Sequence, residues 1–183
     1  MCADRPSAER RKGLSGLTQI QILIKKSQIP SGFSVESPLA GCFQRDPLIN
    51  SQNFIKFGSD LPFDKNGELV VHLATPGSRY REQKAISVPE LRANFKLGTD
   101  KGQYREADLL LVYLCAEQVL VHKKHVSRIV CLSDSVLVDD KPKLVVATRV
   151  VDKGTVQFAL DTDWENQVWD HGSYFALVKN IKH

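Results

Sequence analysis

An antiparallel β-sandwich of jelly-roll type, mainly β with one or two short helices, is the fold this sequence predicts. Three observations predict it. From Asp108 to Lys182 the chain reads as a nearly unbroken series of short apolar runs separated by charged turns. No rhythm of strand, helix and strand is present, so a parallel sheet is not expected. The chain has 183 residues, 42% hydrophobic and 25% charged, which suits one domain with a real core. Residues 1–13 read as a flexible charged arm and 14–183 as a single β-rich domain.

The elements follow from local pattern. Between Leu17 and Lys26, Ile20, Ile22 and Ile24 fall on one face and Gln19 and Gln21 on the other, a half-buried strand. Residues 27–62 are punctuated by proline and glycine; short strands around Phe33–Val35 and Phe54–Phe57 are the reading there. Asp64-Lys-Asn-Gly67 is a turn, since Asn-Gly tolerates positive φ. It leads into a strand from Glu68 to Ala74. Ser87-Val-Pro-Glu90 starts a short helix, with Ser87 capping the first turn and Glu90 reaching back. Leu91 and Phe95 share its face and Gly98 ends it. Asp108–His122 is read as one bent strand or two. Strands follow at Arg128–Val138, Lys143–Val151, Thr155–Leu160 and Ser173–Ile181. Turns at Asp139-Asp-Lys-Pro142 and Asp152-Lys-Gly154 separate the middle three.

Composition narrows the function classes. The net charge of +4 permits contact with nucleic acid or an anionic membrane surface without demanding it. No run of apolar residues is long enough for a transmembrane helix, and the N-terminus lacks a signal-peptide core, so a cytosolic setting is expected. The four cysteines, Cys2, Cys42, Cys115 and Cys131, are not closely paired, and disulfides are not expected. There is no Gly-x-Ser-x-Gly, no phosphate-cradling loop and no dinucleotide fingerprint. Cys115 and Cys131 sit in apolar runs, which raises a thiol pKa and argues against a nucleophile.

Four constellations remain. His122-Lys-Lys-His125 has two imidazoles but no third ligand nearby, and reads as a solvated basic turn. Asp161, Asp163, Glu165 and Asp170 lie among Trp164 and Trp169; they read as a solvated acidic loop anchored by tryptophan, the alternatives being a divalent-ion site, though the twelve-residue calcium loop is not matched, or acid and base with a histidine such as His171. Basic residues recur along the chain: Arg10, Arg11, Lys12, Lys123, Lys124, Arg128, Lys141, Lys143 and Arg149. Folding could gather them into a stripe that holds phosphates without reading sequence, with Tyr104, Tyr113, Phe158 and Trp164 stacking on bases; an ordinary solvated surface is the alternative. Finally, Asp134 interrupts the apolar run from Arg128 to Val138. A carboxylate there is costly unless it is paired, so it either ends the strand at a bend or has a specific partner.

The order of these residues resembles the core of the plant-virus cell-to-cell movement proteins, the thirty-kilodalton superfamily. In that family an apolar strand ends in a signature aspartate, a hairpin and a Gln-Phe strand follow, and a last strand is rich in Val, Asn and Lys. Ile129-Val-Cys-Leu-Ser-Asp134, Val156-Gln-Phe-Ala-Leu160 and Phe175-Ala-Leu-Val-Lys-Asn-Ile-Lys182 are similar to these three. The resemblance covers about residues 108–183. It implies a jelly-roll-like domain without catalytic activity or cofactor. It also implies partners: single-stranded RNA or ribonucleoprotein, an anionic membrane surface, and a second copy through self-association, with no small-molecule substrate. The expected location is host cytoplasm, cell periphery or intercellular channels. Asp134 would then be structural, holding a turn through backbone hydrogen bonds. A viral coat or matrix protein is the alternative reading, and a hydrolase using the acidic cluster is a third.

Overall fold

The structure, a computed structural model, describes residues 17–29, 31, 42–50, 52, 61–76, 85–99, 101–169 and 172–180. The expected N-terminal arm, with Arg10, Arg11 and Lys12, lies outside them, as do the strands expected at Phe33–Val35 and Phe54–Phe57. Among the described residues the fold is mainly β with two α-helices. Its strands are β1 (Leu17–Lys25), β2 (Cys42–Arg45), β3 (Glu68–Pro76), β4 (Tyr104–Glu106), β5 (Arg128–Val138), β6 (Lys141–Asp152), β7 (Thr155–Trp164) and β8 (Ser173–Lys179). The helices are α1 (Val88–Phe95) and α2 (Leu109–Val119).

All eight strands join one sheet in the order β1-β3-β8-β5-β6-β7-β2, with β4 also on β8. The antiparallel expectation is corrected at two places. β2 runs parallel to β7, and β5 runs parallel to the first half of β8. β4 takes the same edge of β8 farther along, so one short strand is shared by three neighbours.

The larger correction is Asp108–His122, which is not a strand. Leu109–Val119 is a helix, and nine of its residues, from Leu109 through Ala116 and Val119, are buried. A helix that is apolar all round belongs inside a core. α2 packs on one face of the sheet. One continuous cluster joins it to Ile22 and Ile24 of β1, Val71 of β3, Ile129 of β5, Val145 of β6 and Phe158 of β7. A six-strand span is about 24 Å across and an 11-residue helix about 16 Å long. Tyr113 of α2 lies with its ring centre 5.4 Å from that of Phe158 on β7, so the helix meets that side of the sheet directly. Ile49, with the half-buried Leu48, Leu61 and Phe63, packs on the same cluster.

The opposite face is covered by α1. Val88, Leu91 and Phe95 meet Val130, Leu132, Leu144, Val146, Phe175, Leu177 and Trp169. Neighbouring residues of β5 and β8 thus point alternately into two cores. That is why these strands are unbroken apolar runs instead of alternating ones. The capping box of α1 is as expected: Glu90 N–H donates to Ser87 Oγ, and Ser87 N–H donates to Glu90 Oε2 at 2.9 Å. Its end differs from expectation. The left-handed residue after the helix is Lys96 (φ 52°), two positions before Gly98. Both hairpins fall where expected. The β5–β6 turn sets Asp139 and Asp140 at φ 50° and 60°, and the β6–β7 turn sets Lys153 and Gly154 at 47° and 83°. Two successive positive φ values are the geometry of tight hairpin turns.

Candidate functional site

Asp134 stands where β5 leaves its register. Cys131 pairs with Val145 and Ser135 with Leu144, so Leu132, Ser133 and Asp134 have no counterpart on β6. Such a bulge re-aims side chains. Here it turns the Asp134 carboxylate toward the start of α2, where Oδ2 accepts the Leu109 N–H at 3.0 Å. Asp108, the residue before the helix, accepts the Leu111 N–H on Oδ1 at 3.0 Å. Two carboxylates therefore satisfy two of the donors that every helix leaves open at its N-terminus, and both lie at the positive end of its dipole. Ser133 Oγ lies 3.0 Å from both Asp134 Oδ2 and Ala107 O, and its one proton serves either acceptor. Of the two alternatives for Asp134 the second holds: the carboxylate has specific partners, whereas β5 does not end at this residue but loses register and runs on to Val138.

Electrostatics at this end follow from burial. Asp108 is held above the ordinary carboxylate range, first by burial and then by the Asp134 charge; its hydrogen bond from Leu111 opposes the shift. The Cys131 thiol, fully enclosed with Sγ 3.6 Å from Asp134 Oδ2, is pushed well above its usual value by burial and by that carboxylate. It is a protonated donor here, the opposite of an activated nucleophile. Burial likewise raises Cys115.

At the other end of α2, Arg149 Nε donates to the Leu120 carbonyl at 3.1 Å. A cation at a helix C-terminus is favourable and satisfies an orphan carbonyl. Arg149, expected on a phosphate-binding stripe, thus holds the end of the buried helix. The chain then turns through His122-Lys-Lys-His125, all exposed or half-exposed. Among the described residues no ion pair engages Lys123 or Lys124, and no three metal-ligating side chains gather.

The other basic candidates are dispersed. Arg128 pairs with Asp163 at 3.3 Å and lies 5.2 Å from the centre of the Trp169 ring. Lys143 sits 4.7 Å over Trp164. Lys141 is exposed at the β5–β6 turn. Lys143 and Arg149 stand six positions apart on β6, about 20 Å along a strand, so these residues occupy two ends of the sheet. Of the aromatics, Tyr113 and Phe158 are buried in the core and Tyr104 is half-buried against His72 and Phe95; Trp164 is the most accessible.

The acidic segment is the end of β7. Arg128 takes Asp163, and Arg92 on α1 bridges Glu165 and Glu106 while donating to the Leu132 carbonyl. Asp161 is hydrogen-bonded to Thr148 and is raised chiefly by burial. These carboxylates tie α1 and β5 to the sheet. Asp170 and His171 lie outside the described residues. What sequence reasoning missed is the pairing of Asp134 and Arg149 with opposite ends of one helix. The available signal was Asp108, an N-cap residue directly before an apolar run.

No known protein family, curated protein or solved structure matches this chain.

Proposed function

We propose that this chain is a non-enzymatic viral movement-type protein that binds single-stranded RNA without sequence preference and assists transport between cells. The observation that carries the reading is Asp134. The resemblance implies a structural aspartate held by backbone hydrogen bonds, and Asp134 accepts the Leu109 N–H; the strand itself continues past it to Val138, where the family's would end. Support for RNA contact is local: Lys123 and Lys124 lie on an exposed turn flanked by His122 and His125. Flexible ammonium groups suit phosphates without selecting bases. The same turn suits anionic lipid headgroups, and self-association and a place at the cell periphery belong to the same proposal.

A jelly-roll relation is also part of it. The β5-β6-β7 meander and the insertion of the last strand between β3 and β5 support that relation, and the two parallel pairings count against it. A coat or matrix role is the second reading, favoured by the same mainly β architecture. Electron microscopy separates them, since a coat protein forms closed shells.

The test is a titration of full-length protein with unrelated single-stranded RNAs across salt concentrations. The proposal expects retention at low salt, equal for different sequences, with a slope of about 0.7 in log affinity per log salt for each phosphate contacted. Replacing Lys123 and Lys124 by Glu should weaken every RNA alike. No retention at low salt would overturn the reading.

A further inference from the structure

The edges of the sheet are built differently. β2 has four residues, shifts register between Cys42 and Gln44, ends at Arg45 and is followed by Pro47. β4 has three residues, two of them charged. Short length, irregular register, charge and proline are the devices that keep an edge from pairing. β1 has none of them before its last residue. Its nine residues run in unbroken register with β3, without proline and without charge before Lys25. Among the described residues no backbone group pairs with its outer edge. On the outward face, Leu23 (45% exposed) lies opposite Val70 (36% exposed) in that register, an apolar pair beside the open edge.

We propose that β1 is a self-association edge, pairing antiparallel with β1 of a second copy about a two-fold axis through Gln21. This deepens the self-association included in the proposed function, and its readout is independent of RNA. The occupant follows from the pattern of the strand. Pairing about Gln21 sets position 20 against 22, 19 against 23, 18 against 24 and 17 against 25, the one register that uses the whole strand. Even positions then meet even positions, so the inward face carrying Ile22 and Ile24 continues across the junction as one apolar layer. A one-residue slip would set isoleucine against the outward face and is selected against. Charge agrees as well. Lys25 meets position 17 instead of another lysine, and the two Lys25 residues stand about 27 Å apart. The contact is isologous, and two eight-stranded sheets become one.

Sedimentation velocity of the full chain over a concentration series, without RNA, tests the proposal. The wild type should pass from monomer to dimer. Gln21→Lys places two ammonium groups on the axis and should raise the dimer dissociation constant at least about tenfold, with an unchanged melting curve at concentrations where both proteins are monomeric. Leu23→Lys on the exposed face should act in the same direction. Phe43→Lys on β2 should not. With Cys2 and Cys42 replaced by serine, Gln21→Cys should oxidise to a covalent dimer, whereas Leu23→Cys should not. A wild type that stays monomeric throughout overturns the proposal. So does a dimer that survives both β1 lysine variants, or a Gln21→Cys variant that forms no cross-link. Because RNA retention is measured separately on the same variants, either proposal can fail while the other stands.

Discussion

Asp134 accepts a backbone hydrogen bond from a helix that begins 25 residues before it in the chain. Removing that carboxylate leaves the Leu109 N–H without its partner inside a packed region. Asp134→Ala should cost about 1–3 kcal/mol in urea unfolding, and Asp134→Asn, which keeps an acceptor, should cost less. Arg149→Met retains the stem but loses the bond to Leu120, and should cost about 1 kcal/mol. Asp108 carries a pH signature. Its folded-state pKa is raised, so its contribution is most favourable below the ordinary carboxylate range and is lost as pH rises through the raised value. Asp108→Asn keeps the cap but removes the titration. It should flatten the stability–pH curve just above the ordinary carboxylate range, as read by urea midpoints across pH. Asp134 was conspicuous in the sequence because a carboxylate in an apolar run needs an explanation. Its partner was not legible, because nothing near residue 134 records which distant backbone group the bulge will face.

At the scale of the element, α2 shows where pattern fails. Leu109-Leu-Leu-Val-Tyr-Leu-Cys-Ala is apolar at every position, so neither the period of a helix nor that of a strand can be read from it. Its length, its lack of isoleucine and threonine, and Asp108 before it all favour a helix, and these signals outrank hydrophobicity alone. Leu111, 1% exposed, should cost about 2–5 kcal/mol when cut to alanine, as read by urea unfolding. The hairpins were legible because their turn residues act locally. Asp139 and Asp140 both adopt left-handed backbone. Asp139→Asn with Asp140→Gly should therefore raise stability by up to about 1 kcal/mol, seen as a higher thermal midpoint.

For the whole molecule, the mainly β character was legible from short apolar runs and turn residues, but the sheet order was not. β2 meets β7 across more than a hundred residues of sequence, as the pairing of Cys42 with Phe158 shows. No local signal marks a pairing of that range, parallel or antiparallel. Nor was it legible that the basic residues divide between holding the fold and facing solvent, since that depends on which carbonyl and carboxylate each one meets. What organises the molecule is one apolar helix packed against the sheet, with an aspartate from β5 at its start and an arginine from β6 at its end. Native-state hydrogen exchange of the α2 amides tests this most directly. The amides from Val112 to Leu120 should exchange only with global unfolding, and Asp134→Ala should speed exchange at Leu109 more than elsewhere in the helix. Exchange of the Val112–Leu120 amides far faster than global unfolding allows, or an α2 indifferent to the loss of Asp134, would contradict it.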